Sequence, residues 1–171
     1  MIALRLLSLD DTDELADLAV RNRGFMAPTE PHRDGSYFTR AGQEAVIAGT
    51  LAGHATGTTV PWVITDENVI VGRITLNNIV RGPLQSASVG YWISKEHNGR
   101  GIATAATGLA LEAAFGELGL HRVEAGTLVD NLGSQRVLAK AGFVRYGLAP
   151  KFLLINGEWR DHVLFQRLST D

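Results

Sequence analysis

The segment His97-Asn98-Gly99-Arg100-Gly101-Ile102-Ala103-Thr104 sets two glycines where a β-rich run ending near Ser94 gives way to a helical pattern starting near Gly101. A glycine-rich turn that opens a helix lets successive backbone N–H groups converge on one point, and the helix dipole adds partial positive charge there. Binding of a phosphate or diphosphate is the chemistry this suits. No lysine followed by serine or threonine comes after the second glycine, so the segment is not a P-loop, and its glycine spacing differs from the dinucleotide fingerprint. An isolated pair of glycines more often builds only a tight turn, so the segment needs its context. A second stretch, Asn131 to Phe143, opens with a helix-capping asparagine and sets the hydroxyl of Ser134 in the first helical turn.

Other residue types narrow the chemistry. The chain has no cysteine, which removes disulfides, thiolate metal sites and a covalent cysteine nucleophile. His32, His54, His97, His121 and His162 are dispersed with no i, i+4 pair, so no metal site is expected. His162 follows Asp161 within a strand pattern and reads as a packed, hydrogen-bonded histidine in preference to a catalytic one. With 16 basic against 18 acidic residues the net charge is −2, too little field to hold a nucleic acid. Met1 to Leu9 is too short for a signal peptide or for a membrane span of ~20 residues, so no membrane partner is expected and the cytoplasm is the expected location.

The elements that must position these residues follow from periodicity. A chain of 171 residues, 45% hydrophobic and 20% charged, fits one domain, 1–171, around one core. Ile2 to Leu7 reads as a strand, and the acidic cluster from Asp10 to Glu14 opens a helix running to about Arg23. Gly24 to Gly35, with Pro28 and Pro31, reads as a loop, and Ser36 as the cap of a second helix from Tyr37 to about Ala55. Three β-rich runs follow, Thr58 to Thr65, Val69 to Val80 and Ser86 to Ser94, separated by turn residues that favour an antiparallel meander. A helix from Gly101 to about Leu118, a strand from Arg122 to Val129 and a short helix from Asn131 to Lys140 come next, the last closed by Gly142. Lys151 to Ile155 and Glu158 to Arg167 flank Asn156-Gly157, a strong two-residue hairpin signal. The expected order is β-α-α-β-β-β-α-β-α-β-β.

Taken together, Tyr91 to Ala103 resembles motif A of the GCN5-related N-acetyltransferases (GNAT), and Asn131 to Phe143 resembles their motif B. Gly101 and Ala103 match the pyrophosphate-holding positions, whereas Asn98 stands where arginine or glutamine is usual. The resemblance implies a mixed α/β GNAT fold: a mostly antiparallel twisted sheet of about seven strands, splayed at the cofactor site and flanked by about four helices. It further implies that acetyl-CoA is the cosubstrate. Its arm would lie along Tyr91, Trp92 and Ile93, and its pyrophosphate against Asn98, Gly99, Arg100, Gly101, Ile102, Ala103 and Thr104. Asn131 would contact the pantetheine arm, and Ser134 would donate a proton or a hydrogen bond to the departing thiolate.

Three further stretches are similar to the RimJ branch, the ribosomal-protein-alanine N-acetyltransferases: Ala27 to Asp34, Asn77 to Gly82 and Leu153 to His162. Thr29 departs from the tryptophan common before Glu30. This resemblance implies direct transfer to an amine in a ternary complex, with the N-terminal amine of a ribosomal protein as the leading acceptor. Related enzymes carry a base 19 residues after the serine, where this chain has Leu153, so Glu124 and Glu30 are the candidate bases. A small-molecule amine acceptor, another acyl group, or a non-catalytic CoA-binding module remain as alternatives.

Overall fold

The computed structural model describes residues 1–170. Seven strands form one sheet, β1 (Ile2–Leu6), β2 (Val60–Asp66), β3 (Val69–Val80), β4 (Ser86–Ile93), β5 (Arg122–Leu128), β6 (Val144–Ile155) and β7 (Glu158–Leu168). Four helices flank it, α1 (Thr12–Met26), α2 (Arg40–Ala55), α3 (Ile102–Glu112) and α4 (Leu132–Lys140). The strand order is β1-β2-β3-β4-β5-β7-β6, and every pairing is antiparallel except β4 with β5. The mixed architecture and element order are those expected from the sequence.

Alternation along the strands gives the sheet two faces. On one, Ile74, Ala87, Val89 and Val123 pack with Ala106, Ala110 and Ala114 and with Leu138 of α4. Alanines four residues apart make a flat helix stripe, which lets α3 lie close on the sheet and holds its N-terminus at the end of β4. On the other face, Val63 and Ile70 pack with Leu15, Leu18 and Ile47 of α1 and α2, and Trp92 lies against them. Asn22 of α1, only 2% exposed, donates to Ser94 Oγ at 3.0 Å and accepts the Lys95 N–H at 2.8 Å. That buried pair of bonds pins the exit from β4 to α1.

Three boundaries differ from expectation. Helix α1 runs through Gly24 to Met26 before a 3-10 turn at Ala27–Thr29, because a single helical glycine costs only about 1 kcal/mol and the stop is delayed to Pro28. Ser36 does not cap α2. Thr39 does, accepting the Gly42 N–H at 3.0 Å, while Asp34 caps the short turn Gly35–Phe38. Strand β6 starts at Val144 rather than Lys151. Gly147 and Pro150 would interrupt a central strand, but β6 is an edge strand, where a proline's missing N–H is tolerated. Register shifts after Arg145 and Ala149 absorb the irregularity, and the Lys151 N–H bonds to Asp161 Oδ1 at 2.8 Å instead of to the ladder.

Candidate active site

The parallel β4–β5 ladder holds for three residue pairs, Ser86 with Arg122, Ala87 with Val123 and Ser88 with Glu124, and then stops. Beyond it, β4 continues to Ile93 and β5 to Leu128, so the sheet forks. Within the β3–β4 pairing Ile93 faces Gly72 and the Ser94 N–H bonds Val71 O at 2.8 Å. Ile93 and Gly72 are therefore a non-hydrogen-bonded pair, and the N–H of Ile93 and the N–H and C=O of Tyr91 two residues earlier point into the fork, the Ile93 carbonyl being taken by the Asn98 side chain. A row of strand groups without a neighbouring strand is what an extended ligand can pair with. Gly72 belongs to this construction, because a Cβ there would lie 2.1 Å from the Trp92 carbonyl oxygen.

A cleft of 560 Å³ opens from the fork. Tyr91, Trp92 and Ile93 form one wall, the loop with Asn98, Gly99 and Gly101 and the first turn of α3 with Ile102, Ala103 and Thr104 form another, and Asn131 and Ser134 close a third. Gly99 and Gly101 have φ of 77° and 76°, and a Cβ on either would meet nothing within 4 Å. The loop thus needs glycine for its left-handed backbone, and the absent side chains leave its N–H groups bare at the start of α3. Asn98 turns inward, donating from Nδ2 to the carbonyls of Ile93 at 3.0 Å and Ser94 at 3.2 Å. Its side chain fastens the loop to β4, a task different from the charge that arginine would bring. Arg100 points elsewhere, to Asp66 of β2 at 3.2 Å, and its side chain does not line the cleft.

Positive charge enters the cleft from α4. Gly133, Arg136, Val137 and Lys140 all line it, a stripe at i, i+3, i+4, i+7. The sequence reading missed Arg136 and Lys140, although their spacing from Gly133 and from each other placed them on one helix face. Asn131 caps α4 by accepting the Ser134 N–H at 3.1 Å. The Ser134 hydroxyl lies 2.8 Å from the Tyr91 hydroxyl across the mouth of the fork, and burial pushes the Tyr91 phenol above its ordinary pKa, so it stays a neutral partner.

The candidate bases do not join Ser134. Glu124 lines a separate groove of 610 Å³ on the α1–α2 face, bounded by Asn77, Ser88, Tyr146, Phe152 and His162. Its Oε1 takes three bonds, from Arg122 Nε at 3.0 Å, Arg122 Nη2 at 2.8 Å and the Tyr146 hydroxyl at 2.9 Å. No partner among the described residues reaches Oε2. Glu30 faces neither large cavity. It lines a 20 Å³ space with Arg73, Tyr37 and Trp92, where burial raises its carboxyl pKa and Arg33 partly offsets the rise. Arg73 in that space has its pKa lowered by burial. His162 is packed, at 4% exposure, yet it also faces the Glu124 groove. Among the described residues no group of His, Asp or Glu is placed to hold a metal ion, and no helix is long and apolar enough to cross a membrane.

Comparison with known proteins agrees with this geometry. The profile of the acetyltransferase (GNAT) domain matches residues 2–144. The chain is 39% identical over 172 residues to a probable N-acetyltransferase, YjcK, of Bacillus subtilis strain 168, covering 99% of this chain and 95% of that one. It is 33% identical over 165 residues to the ribosomal protein uS5-alanine N-acetyltransferase of Escherichia coli K12, covering 95% and 85%. Mycobacterium smegmatis RimJ, solved in complex with CoA-disulfide, superposes with a TM-score of 0.96 at 32% identity, covering 98% of this chain and 82% of that one. A forked sheet, a glycine loop at a helix N-terminus and a capped serine helix thus sit in a chain that belongs to the GNAT family of N-acetyltransferases, with RimJ enzymes among its relatives.

Proposed function

We propose that the chain, acting as one domain over 1–171, transfers the acetyl group of acetyl-CoA to the N-terminal α-amine of a protein, with a ribosomal protein's alanine as the leading acceptor. The observation that carries this reading is the fork, with a cleft on one side and an open groove on the other. Acetyl-CoA lies in the cleft, its diphosphate on the loop amides from Asn98 to Thr104 and near Arg136 and Lys140. Its thioester arm runs along Tyr91 to Ile93, with Asn131 and Ser134 beside the sulfur. Backbone N–H groups in the fork stabilise the oxyanion, an arrangement worth a few kcal/mol per donor. Ser134 donates its hydroxyl proton toward the leaving sulfur, and Tyr91 holds that hydroxyl in place.

The amine arrives through the groove, where Glu124 offers Oε2 to an incoming ammonium or to a water beside it. Of the two carboxylates considered as bases, only Glu124 lines this groove, and Glu30 does not. Leu84, Phe152 and Leu153 at the groove rim are 53, 48 and 42% exposed, which suits an acceptor chain that continues into solvent. An α-amine with pKa ~8 costs about 1.4 kcal/mol to deprotonate at pH 7, against about 4.6 for lysine near ~10.4, so a weak base suffices for the former. Ribosomal acceptors would place the activity in the cytoplasm.

A thiol-release assay over peptides with free N-termini, lysine peptides and small amines tests the reading. Preference for a free N-terminal alanine is the expected result, and a preference for a polyamine or other small amine would displace it. Intact masses of ribosomal proteins from cells lacking the gene provide the matching test in vivo.

A further inference from the structure

We infer that the proton shed by the attacking amine is taken by Nε2 of His162, with Glu124 serving to hold the ammonium before transfer. The inference rests on the groove being the acceptor site. His162 Nδ1 lies 3.1 Å from the carbonyl oxygen of Arg160. A carbonyl can only accept, so Nδ1 carries the hydrogen and Nε2 keeps its lone pair. No hydrogen bond reaches Nε2 from any described residue. The sealed side-chain polar atoms left without partners are Nδ1 of His97 and Oγ1 of Thr127, so Nε2 of His162 is open to the groove it lines. An imidazole fixed at one nitrogen by a carbonyl and free at the other is the arrangement a general base requires.

Position along the sheet supports the same assignment. His162 pairs with Leu128 of β5, and its Cδ2 would be 3.8 Å from a Cβ at Gly126. Glu124, by contrast, sits at the last rung of the β4–β5 ladder. His162 therefore lies beside the open part of the fork, and Gly126 places no side chain against the edge of the ring. Phe152 packs on the imidazole with ring centroids 5.4 Å apart and fixes its plane. Glu124 is a poorer proton acceptor for this step because Arg122 and Tyr146 already occupy one of its oxygens.

In the step itself the ammonium held by Glu124 first loses one proton to solvent, a small cost for an α-amine at pH 7. The freed amine lone pair then forms the new C–N bond at the thioester carbon, the C–S bond breaks with its electron pair on sulfur, and nitrogen is left with one further proton to shed. The proton leaving nitrogen goes to His162 Nε2, and the sulfur receives one from Ser134 or from solvent. The other titratable groups lining this groove are Glu124 from β5 and Tyr146 from β6, with Arg160 and Asp161 flanking His162 on β7.

The test uses His162→Asn, whose amide can still donate to the Arg160 carbonyl but has no lone pair at the Nε2 position, with Glu124→Gln as comparator. Both are assayed with whichever amine the wild type uses best, while thermal unfolding and acetyl-CoA affinity establish that each is folded. The expected result is a loss of about a hundredfold or more in kcat for His162→Asn, the size of a general-base contribution. Its acid limb in the pH–rate profile should disappear and added imidazole should restore part of the rate. Glu124→Gln should raise KM and keep the acid limb. The inference is overturned if folded His162→Asn keeps kcat within about threefold with the acid limb in place, or if Glu124→Gln alone removes that limb. Should His162→Asn not fold, the retained or lost limb in Glu124→Gln decides the same question. Failure of the acceptor reading shows separately, as a wild type that ignores α-amines.

Discussion

The two cavities that line successive stretches of β4, the cleft at 91–93 and the groove at 86–90, are built from different material. The cleft draws most of its lining from two contiguous stretches, 91–104 and 131–140, completed by Phe25, Met26 and Thr29. Its glycine loop and strand offer main-chain groups, and each stretch is fastened by short-range bonds such as Asn98 to Ile93 O and Asn131 to the Ser134 N–H. The groove gathers its lining from five strands, with polar or aromatic side chains from each: Asn77 of β3, Ser88 of β4, Glu124 of β5, Tyr146 and Phe152 of β6 and His162 of β7. Main-chain recognition suits a ligand that stays the same, because it tolerates drift in side chains while glycine and cap positions hold. Side-chain recognition suits a ligand that differs between relatives, because each contact can change without unbuilding the sheet.

Substitutions can break this contrast, and the largest effect is expected in the cleft. Ser134→Ala should lower kcat about a hundredfold or more while leaving acetyl-CoA affinity intact, measured by steady-state kinetics beside calorimetry. An unchanged kcat would move the proton donor elsewhere. Gly101→Val should weaken acetyl-CoA binding about tenfold or more, since a side-chain-bearing residue pays roughly 1–2 kcal/mol in the left-handed region and a β-branched one more. Retained affinity would mean the loop's backbone is not what holds the diphosphate. Arg136→Ala and Lys140→Ala should each weaken binding only about threefold, an effect that fades at high salt because both charges meet solvent. A larger, salt-insensitive loss would make the cleft depend on side chains as the groove does.

The smallest effect belongs to Glu30, which lies in neither cavity. Its carboxyl pKa is raised in the fold, so the folded state holds the proton more tightly than the unfolded chain does. Stability contributed by the protonated form is therefore lost as pH rises through the carboxylate range. Glu30→Gln should raise the thermal midpoint slightly at pH 7, with the gain vanishing as pH falls below the ordinary glutamate pKa, and should leave turnover near wild type. A large fall in turnover would restore Glu30 as a catalytic carboxylate.

The contrast also explains what could be read from residue order. Gly99, Gly101, Asn131 and Ser134 announced themselves because turn, cap and helix signals are local, and the strand order followed from period changes and from Asn156-Gly157, where both φ angles are positive as that turn requires. Arg136 and Lys140 were legible in spacing but their face was not, since α4's orientation is set by packing of Leu138 into the core. The first half of β6 was hidden because Gly147 and Pro150 break a central strand but not an edge. The groove was least visible. Nothing in the order of residues joins Glu124 to Tyr146 or Gly126 to His162, because those neighbours arise only from sheet register.

The central claim is that the unpaired strand groups of the fork receive the thioester arm. Amide exchange followed residue by residue, with and without acetyl-CoA, addresses it most directly. Marked slowing at Ile93, whose N–H points into the fork, with little change at Trp92, whose backbone already pairs with Arg73 of β3, is the predicted result. Saturating acetyl-CoA that leaves exchange at Ile93 unaltered would contradict the account.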